Sequence, residues 1–232
     1  MFNKIQSFLR QRSRGILGQP CKKSYSQTGE DLILSFVLKS HSITCPVYID
    51  IGANHPTELS NTWLLYQQGG AGFVVEPNPA YNAMYRRIRS RDVMHNVGIS
   101  GSSGGSIKYY QMAWPAFNTF DEAFAAEVQA RYAGRCNIVG TSLIPIVPIN
   151  DFLGGLNLSR LDVLSLDAEG YDYDILSSLD FSRWSPLLVC VEQVSDSLVS
   201  QAVDAGGIGE ILSANGYSVV AKTPFNVVYE RR

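Results

Sequence analysis

Short apolar runs alternate with segments of helical periodicity along most of the chain. Apolar runs typical of buried strands lie at 47–51, 72–76, 92–95, 163–167 and 187–192. Helical spacing of apolar residues recurs near 27–39, 59–68, 79–89, 172–179 and 197–214. Two further extended segments, near 217–221 and 225–229, close the chain. The alternation predicts an α/β fold with a mostly parallel seven-stranded sheet, helices on both faces and an antiparallel edge.

The first of these strands breaks into a glycine turn. The segment reads Asp50-Ile51-Gly52-Ala53-Asn54-His55-Pro56, and glycine lets a ligand approach the backbone closely. Glu76 ends the second strand, where a carboxylate can accept hydrogen bonds from both ribose hydroxyls of an adenosine ligand. The pattern predicts an adenosine cofactor site, with an ordinary strand-turn capped by Asp50 as the alternative. The candidate cofactor-binding residues are Asp50, Gly52, Ala53, Asn54, Glu76, Asn78, Asn96 and Asp167.

The turn does not suit a dinucleotide or a nucleoside triphosphate. It holds a single glycine instead of G-x-G-x-x-G, and the chain has no G-x-x-x-x-G-K-[ST] segment. S-adenosyl-L-methionine fits better, because it has no pyrophosphate to bind. We expect Asp50 and the polar backbone of the turn to accommodate its sulfonium and amino acid tail.

Three carboxylates at or near strand ends are candidates for a catalytic or metal-binding role. Asp167 ends the strand at 163–167, Glu169 follows it, and Glu192 ends the next strand. They could supply a general base or oxygen ligands for Mg²⁺, with Asp167 as the first choice. The alternative is that Asp167 and Glu169 only cap the following helix. His55 is a second candidate base, or it shapes the turn before Pro56.

An insertion at about 100–150 separates the third and fourth strands of the pattern. Its glycine-rich start, 101–105, predicts a hairpin turn between extended segments at 97–99 and 107–110. A helical stretch near 120–132 and an extended segment at 139–149 follow. Trp114 and Phe117 could stack on a sugar or polyketide ring, or they could form a small satellite core. Inserted loops of this kind usually shape substrate specificity.

Composition agrees with one enzyme domain. The chain has 232 residues, is 45% hydrophobic and carries a formal charge of −2, which fits a single α/β domain and gives no support for a nucleic acid partner. Its four cysteines form no C-x-x-C pair, which argues against a zinc site or a disulfide framework and favours the cytoplasm. No run reaches the about 18 apolar residues that span a bilayer.

Basic residues gather at two places. Residues 1–25 hold Lys4, Arg10, Arg12 and Arg14 among amphipathic positions, a pattern compatible with weak peripheral contact with an anionic membrane. The alternative is a helix that caps a domain spanning 26–232, or a frayed terminus. The second cluster, Arg86, Arg87, Arg89 and Arg91, is interpreted as a solvated helix end.

Several motifs, in order, resemble the FkbM-type S-adenosylmethionine-dependent methyltransferases. They are Ser26-Gln27-Thr28-Gly29-Glu30-Asp31, the turn from Tyr48 to Pro56, Glu76-Pro77-Asn78-Pro79, the stretch from Leu164 to Tyr171, Asp180-Phe181 and Val191-Glu192. The resemblance implies a Rossmann-like class I methyltransferase fold. It also implies O-methylation of a hydroxyl on a sugar or secondary metabolite.

Two other functions compete with this interpretation. One is an N-methyltransferase with the same cofactor site, which an acceptor screen would distinguish. The other is a cofactor-binding partner without catalysis in a biosynthetic cluster. The acids at 167, 169 and 192 argue against that partner, because a domain without catalysis does not need them. The expected substrate is a small molecule or a glycan.

Overall fold

A computed structural model describes residues 22–102, 104–132, 134–168, 170–193 and 207–232. Most of the predicted basic segment, Glu169 and the first part of the helix predicted at 197–214 lie outside the described residues. No helix within the described ranges is long and apolar enough to cross a membrane.

The described residues form ten strands and seven α-helices. The strands are β1 Val47–Ile51, β2 Ala71–Val75, β3 Val93–His95, β4 Gly98–Ser100, β5 Gly105–Met112, β6 Ile138–Pro148, β7 Val163–Leu166, β8 Leu188–Glu192, β9 Tyr217–Lys222 and β10 Asn226–Arg231. The helices are α1 Glu30–Ser40, α2 Trp63–Gln67, α3 Asn82–Ile88, α4 Glu122–Arg131, α5 Ile149–Gly155, α6 Asp172–Ser178 and α7 Ile208–Ala214.

Seven strands form one sheet in the order β3-β2-β1-β7-β8-β10-β9. All of its pairings are parallel except those of β10, which runs antiparallel to β8 and to β9. The predicted α/β architecture with an antiparallel edge is therefore confirmed. The strand order reverses between β1 and β7, and ligands of such sheets bind outside the carboxyl ends of the strands at this point.

Both faces of the sheet are covered, which explains why its central strands are apolar runs. On one face, α5, α6 and α7 pack over Ile49, Leu164 and Val189. On the other face, α1 and α2 pack over Tyr48 and Val163. The helix α2 begins later than the predicted residue 59. Its start is delayed because Leu59 has φ 54, a left-handed conformation that does not continue a right-handed helix.

The glycine-rich stretch 101–105 is not a hairpin turn, so this prediction was wrong. β4 pairs parallel with one side of β6, and β5 pairs antiparallel with the other side. Ile146 is opposite Gly98 on one edge and opposite Gly105 on the other. The stretch therefore crosses the end of β6 and joins two strands about 10 Å apart, twice the spacing of neighbouring strands.

The arginine cluster at the end of α3 is only partly solvated. Arg86 and Arg87 are exposed, but the side chain of Arg89 is 0% exposed and pairs with Asp92 at 2.6 Å. Arg89 also donates to Thr62 at 2.9 Å and to Tyr48 at 3.1 Å. The prediction of a solvated helix end was wrong for Arg89, because the rings of Tyr48, Tyr66 and Tyr85 pack around its guanidinium.

Replacing Arg89 should destabilise the fold. Arg89→Met leaves the carboxylate of Asp92 buried without its cation, and we expect a loss of about 3–5 kcal/mol in the free energy of unfolding. Urea unfolding measures this loss. Arg87→Met, an exposed change in the same helix, should cost no more than about 0.5 kcal/mol. Equal losses in the two variants would contradict the buried network.

Candidate active site

A cavity of about 640 Å³ opens at the carboxyl ends of β1, β2, β7 and β8. Its floor is made by residues at or just after the ends of these strands, namely Gly52, Ala53, Asn54, Glu76, Asp167 and Glu192. Its opposite wall belongs to the predicted insertion and includes Tyr109, Phe117, Asn118, Thr119, Phe120 and Phe124. The size is typical of a site for a small molecule or cofactor.

Gly52 brings the ends of three strands together. It has φ +76, and a Cβ atom there would lie 1.8 Å from the carbonyl oxygen of Asp167. Its N–H donates to the carbonyl of Val75 at 2.9 Å, while the N–H of Asp167 donates to Ile51 at 3.0 Å. Only glycine allows this approach, so the turn, the end of β2 and the end of β7 form one rigid floor.

Glu76 is held by backbone N–H groups and faces the cavity. Its Oε2 accepts from the N–H of Asn54 at 2.9 Å, and its Oε1 accepts from the N–H of Asn78 at 2.7 Å. Asn54 has φ 49, a conformation that asparagine tolerates. Burial raises the pKa of Glu76 to about 7, although both N–H groups favour the carboxylate. Each oxygen keeps lone-pair capacity for a ligand hydroxyl.

Asp167 and Glu192 form a carboxyl pair at the ends of adjacent strands. Burial raises the pKa of Asp167 above its usual range, and the charge of Glu192 and the hydrogen bond between the two side chains raise it further. Two carboxyl groups that share a hydrogen bond cannot both ionise easily. The pair is therefore suited to hold one proton, which either side chain can exchange with a ligand.

Four of the candidate residues do not line the cavity. Asp50 is buried behind the turn and accepts from the hydroxyl of Thr62 at 2.5 Å, and burial raises its pKa. The Nδ1 of His55 accepts from the N–H of Glu58 at 3.0 Å, so His55 stabilises its own turn.

The two asparagines among these four support Glu76 from behind. The Oδ1 of Asn78 accepts from the N–H of Ala80 at 3.0 Å, so Asn78 caps the helical turn that begins at Pro79. The Nδ2 of Asn96 donates to the main-chain carbonyl of Glu76 at 2.9 Å. The structure thus brings Gly52, Ala53, Asn54, Glu76, Asp167 and Glu192 together at the cavity.

The described residues contain no group of three His, Cys, Asp or Glu side chains that could hold a metal ion. Glu169, one of the candidate ligands, lies outside the described residues. The helix that follows, α6, has Tyr171 at its N-cap position and no side-chain cap hydrogen bond. Asp172, its first residue, accepts from the N–H of Ala168 at 3.0 Å, before the helix begins. Asp167 is therefore not at the cap position of this helix.

Sequence reasoning missed several polar residues of the cavity, including Asp174 and Gln27. Asp174 lines it, and its Oδ2 accepts from the N–H of Gly101 at 2.7 Å. Gln27 lines it as well, from the Ser-Gln-x-Gly-Glu-Asp motif. Asp172 and Asp174 lie two residues apart at the start of a helix. The sequence does not show which of the two side chains faces the cavity.

The aromatic residues of the insertion are divided between two surroundings. Tyr110 and Met112 form a small core with Phe117 and Tyr132, and Trp114 contacts the ring of Tyr132 at 5.1 Å between centroids. Other rings, those of Tyr109, Phe120 and Phe124, line the cavity, and Phe117 contributes to both. The satellite core is therefore present, and an aromatic wall remains for the ligand.

Fold and cavity together define a Rossmann-like class I methyltransferase that depends on S-adenosylmethionine. Residues 50–219 match the family described as the methyltransferase FkbM domain. This chain belongs to the FkbM methyltransferase family, as its motifs predicted.

Solved structures with a similar fold are distant in sequence. A 1,6-didemethyltoxoflavin-N1-methyltransferase from Burkholderia thailandensis, with bound S-adenosylhomocysteine, is 11% identical, with a TM-score of 0.43 over 88% of this chain and 79% of that one. A TehB-like methyltransferase from Corynebacterium glutamicum is 9% identical, with a TM-score of 0.43 over 99% and 98%. A precorrin-6y C5,15-methyltransferase from Geobacter metallireducens is 16% identical, with a TM-score of 0.36 over 91% and 92%. These similarities carry no argument about function, and no curated protein matches the chain.

The raised pKa of Glu76 predicts a pH-dependent stability. The folded protein holds the proton of Glu76 up to a pKa of about 7, against an ordinary value of 4.5. The bound proton stabilises the folded state fully below pH 4.5. As the pH rises towards 7, this stabilisation is lost, and the free energy of unfolding falls by about 2–3 kcal/mol. Urea unfolding across this range should show a flatter pH dependence in Glu76→Gln. Glu58→Gln, an exposed change in the same loop, should keep the wild-type dependence, and a Glu76→Gln curve parallel to the wild type would contradict the shift.

Proposed function

We propose that this protein transfers the methyl group of S-adenosylmethionine to a hydroxyl of a glycan or a secondary metabolite. The observation that carries the proposal is the Asp167–Glu192 carboxyl pair, which lies on the floor of the same cavity as Glu76. A hydroxyl is a poor nucleophile at neutral pH, so its methylation benefits from a base of this kind.

Glu76 is proposed to bind the ribose of the cofactor. Its two oxygens are each oriented by one backbone N–H, which leaves them free to accept from two adjacent hydroxyls. Gly52, Ala53 and Asn54 then supply the backbone surface next to the cofactor. Asn78 and Asn96 are proposed as positioning residues, because they contact Glu76 through its side chain and its main chain.

Asp50 is proposed to support the turn, in place of a direct contact with the cofactor tail. Its carboxylate accepts from Thr62, and Thr62 in turn accepts from Arg89. Arg89 also donates to the carbonyl of Pro56 at 3.3 Å, so one buried network holds both ends of the turn.

Methyl transfer then proceeds as an in-line displacement. The acceptor oxygen forms a bond to the methyl carbon while the bond from sulfur to that carbon breaks, and S-adenosylhomocysteine leaves as a neutral thioether. The Asp167–Glu192 pair holds one proton and one negative charge before the reaction, and the hydroxyl proton passes to its ionised carboxylate, which leaves both carboxyl groups neutral. A base with a raised pKa is well matched to neutral pH, and alignment of the three reacting atoms supplies the remaining acceleration.

A metal-assisted version would use Asp167, Glu192 and Glu169 as oxygen ligands of Mg²⁺. The described residues support the base more directly, because the side chains of Asp167 and Glu192 are hydrogen-bonded to each other.

N-methylation with the same cofactor site is the other alternative. The position of the transferred methyl group in the product separates it from O-methylation.

Several expectations from the sequence stay as predictions. They are the division of the chain at residues 25 and 26, the weak membrane contact of residues 1–25, the cytoplasmic location and the lack of a nucleic acid partner. Vesicle co-sedimentation of the full chain and of a chain without residues 1–20 would test the membrane contact.

Asp167→Asn tests the proposed base. The variant keeps the shape of the side chain but cannot take the proton, and we expect turnover to fall about 10²–10⁴-fold with little change in affinity for S-adenosylhomocysteine. Transfer of a labelled methyl group to an acceptor found by screening measures turnover. Asp180→Asn, an exposed change outside the cavity, should retain wild-type turnover.

Chelation separates the two roles of Asp167. Turnover unaffected by EDTA supports the base, whereas activity abolished by EDTA and restored by Mg²⁺ would assign Asp167 as a ligand. Wild-type turnover of Asp167→Asn on the same acceptor would contradict both roles.

A further inference from the structure

The charged groups of the cavity all have the same sign. Glu76, Asp167, Asp174 and Glu192 line it, and none of its described lining residues is a lysine, an arginine or a histidine. The remainder of the wall is largely apolar and aromatic, including Tyr109 and Phe120. Low-dielectric walls lined by one sign of charge focus the field inside a cleft. With one proton held by the Asp167–Glu192 pair and with Glu76 partly protonated near pH 7, the lining still keeps a net negative charge, so the cavity attracts cations and repels anions.

Three backbone N–H groups at the cavity or next to its lining residues are also committed to carboxylates. The N–H groups of Asn54 and Asn78 both donate to Glu76, and the N–H of Gly101 donates to Asp174. Proteins bind phosphate with arginine, with lysine or with free backbone N–H groups. Among the described lining residues the first two are absent, and these three backbone donors are already used.

We propose that this cavity selects acceptors by charge, and that the unit which enters it to be methylated carries no phosphate and no carboxylate. The inference rests on the proposed function and adds the class of acceptor to it. S-adenosylmethionine does carry a carboxylate, but its ammonium and sulfonium groups give it a net positive charge, so the same field favours its entry.

The selection places the methyl transfer within a reaction sequence. A sugar activated as a nucleoside diphosphate carries at least two negative charges next to the ring. Such a sugar enters this cavity poorly, whereas a glycoside does not carry those charges. Glycosyl transfer, which releases the diphosphate, must therefore come before methylation if the acceptor is a sugar.

Adenosine and adenosine 5′-monophosphate form a matched pair of probes for this field. They share the ribose that Glu76 is proposed to bind and differ only in the phosphate, so the test does not depend on the identity of the acceptor. Calorimetry on the full chain should show the monophosphate binding at least about tenfold more weakly than adenosine at low salt. The ratio should shrink as salt screens the carboxylates.

One variant and one control assign the effect to the cavity. Asp174→Asn removes a single lining charge, keeps an oxygen for the N–H of Gly101, and should reduce the ratio about threefold or more. Asp180→Asn removes the same charge just beyond the end of α6, outside the cavity, and should leave the ratio unchanged. Equal effects of the two variants would show that net charge, and not the cavity, is responsible, and would overturn the inference.

The remaining outcomes are also decisive. Equal or tighter binding of the monophosphate to the wild type would overturn the charge selection while leaving the cofactor assignment intact. Failure of adenosine and of S-adenosylhomocysteine to bind would instead remove the proposed function and the inference with it. Efficient methylation of a nucleotide-activated sugar would overturn the proposed order of reactions.

Discussion

The contact between Gly52 and the carbonyl of Asp167 is the constraint on which the active site depends. A side chain at position 52 would overlap that carbonyl, so the ends of β1 and β7 can approach only because glycine is there. In the same turn, the N–H of Gly52 donates to the carbonyl of Val75 at the end of β2. Glu76 and Asp167 are thereby placed on opposite sides of one turn. Cofactor binding and proton transfer consequently share a single rigid floor.

The floor is supported from behind by a buried polar network. Arg89 connects the carbonyl of Pro56 to Thr62, and Thr62 connects to Asp50. Asp92 balances the charge of the guanidinium and also accepts from the N–H of Gly72 at 2.9 Å, at the start of β2. Burial raises the pKa of Glu76 and of Asp167, and no described cation offsets it at either carboxyl group.

Much of the fold was predictable from local pattern. Buried parallel strands are continuous apolar runs, and the carboxylates at their ends, Glu76, Asp167 and Glu192, were identified from position alone. Strand pairing in the insertion was not predictable, because an extended pattern does not specify its neighbour and β6 separates β4 from β5. Burial of Arg89 was also missed, since a cation at a helix end is ordinarily solvated. Asp50 was expected at the cofactor, and His55 was expected as a base or as a turn residue. Neither lines the cavity, and sequence position does not show which way a side chain points.

The central claim is that the turn and Glu76 bind an adenosyl cofactor through its ribose. Calorimetry with S-adenosylhomocysteine on the wild type, on Glu76→Ala and on Glu58→Ala tests it most directly. We expect Glu76→Ala to weaken binding by about 1.5–3 kcal/mol, the cost of losing charged hydrogen-bond acceptors, and Glu58→Ala to bind like the wild type. NAD should not bind. Unchanged affinity in a folded Glu76→Ala variant, or NAD binding as tight as that of S-adenosylhomocysteine, would contradict the claim.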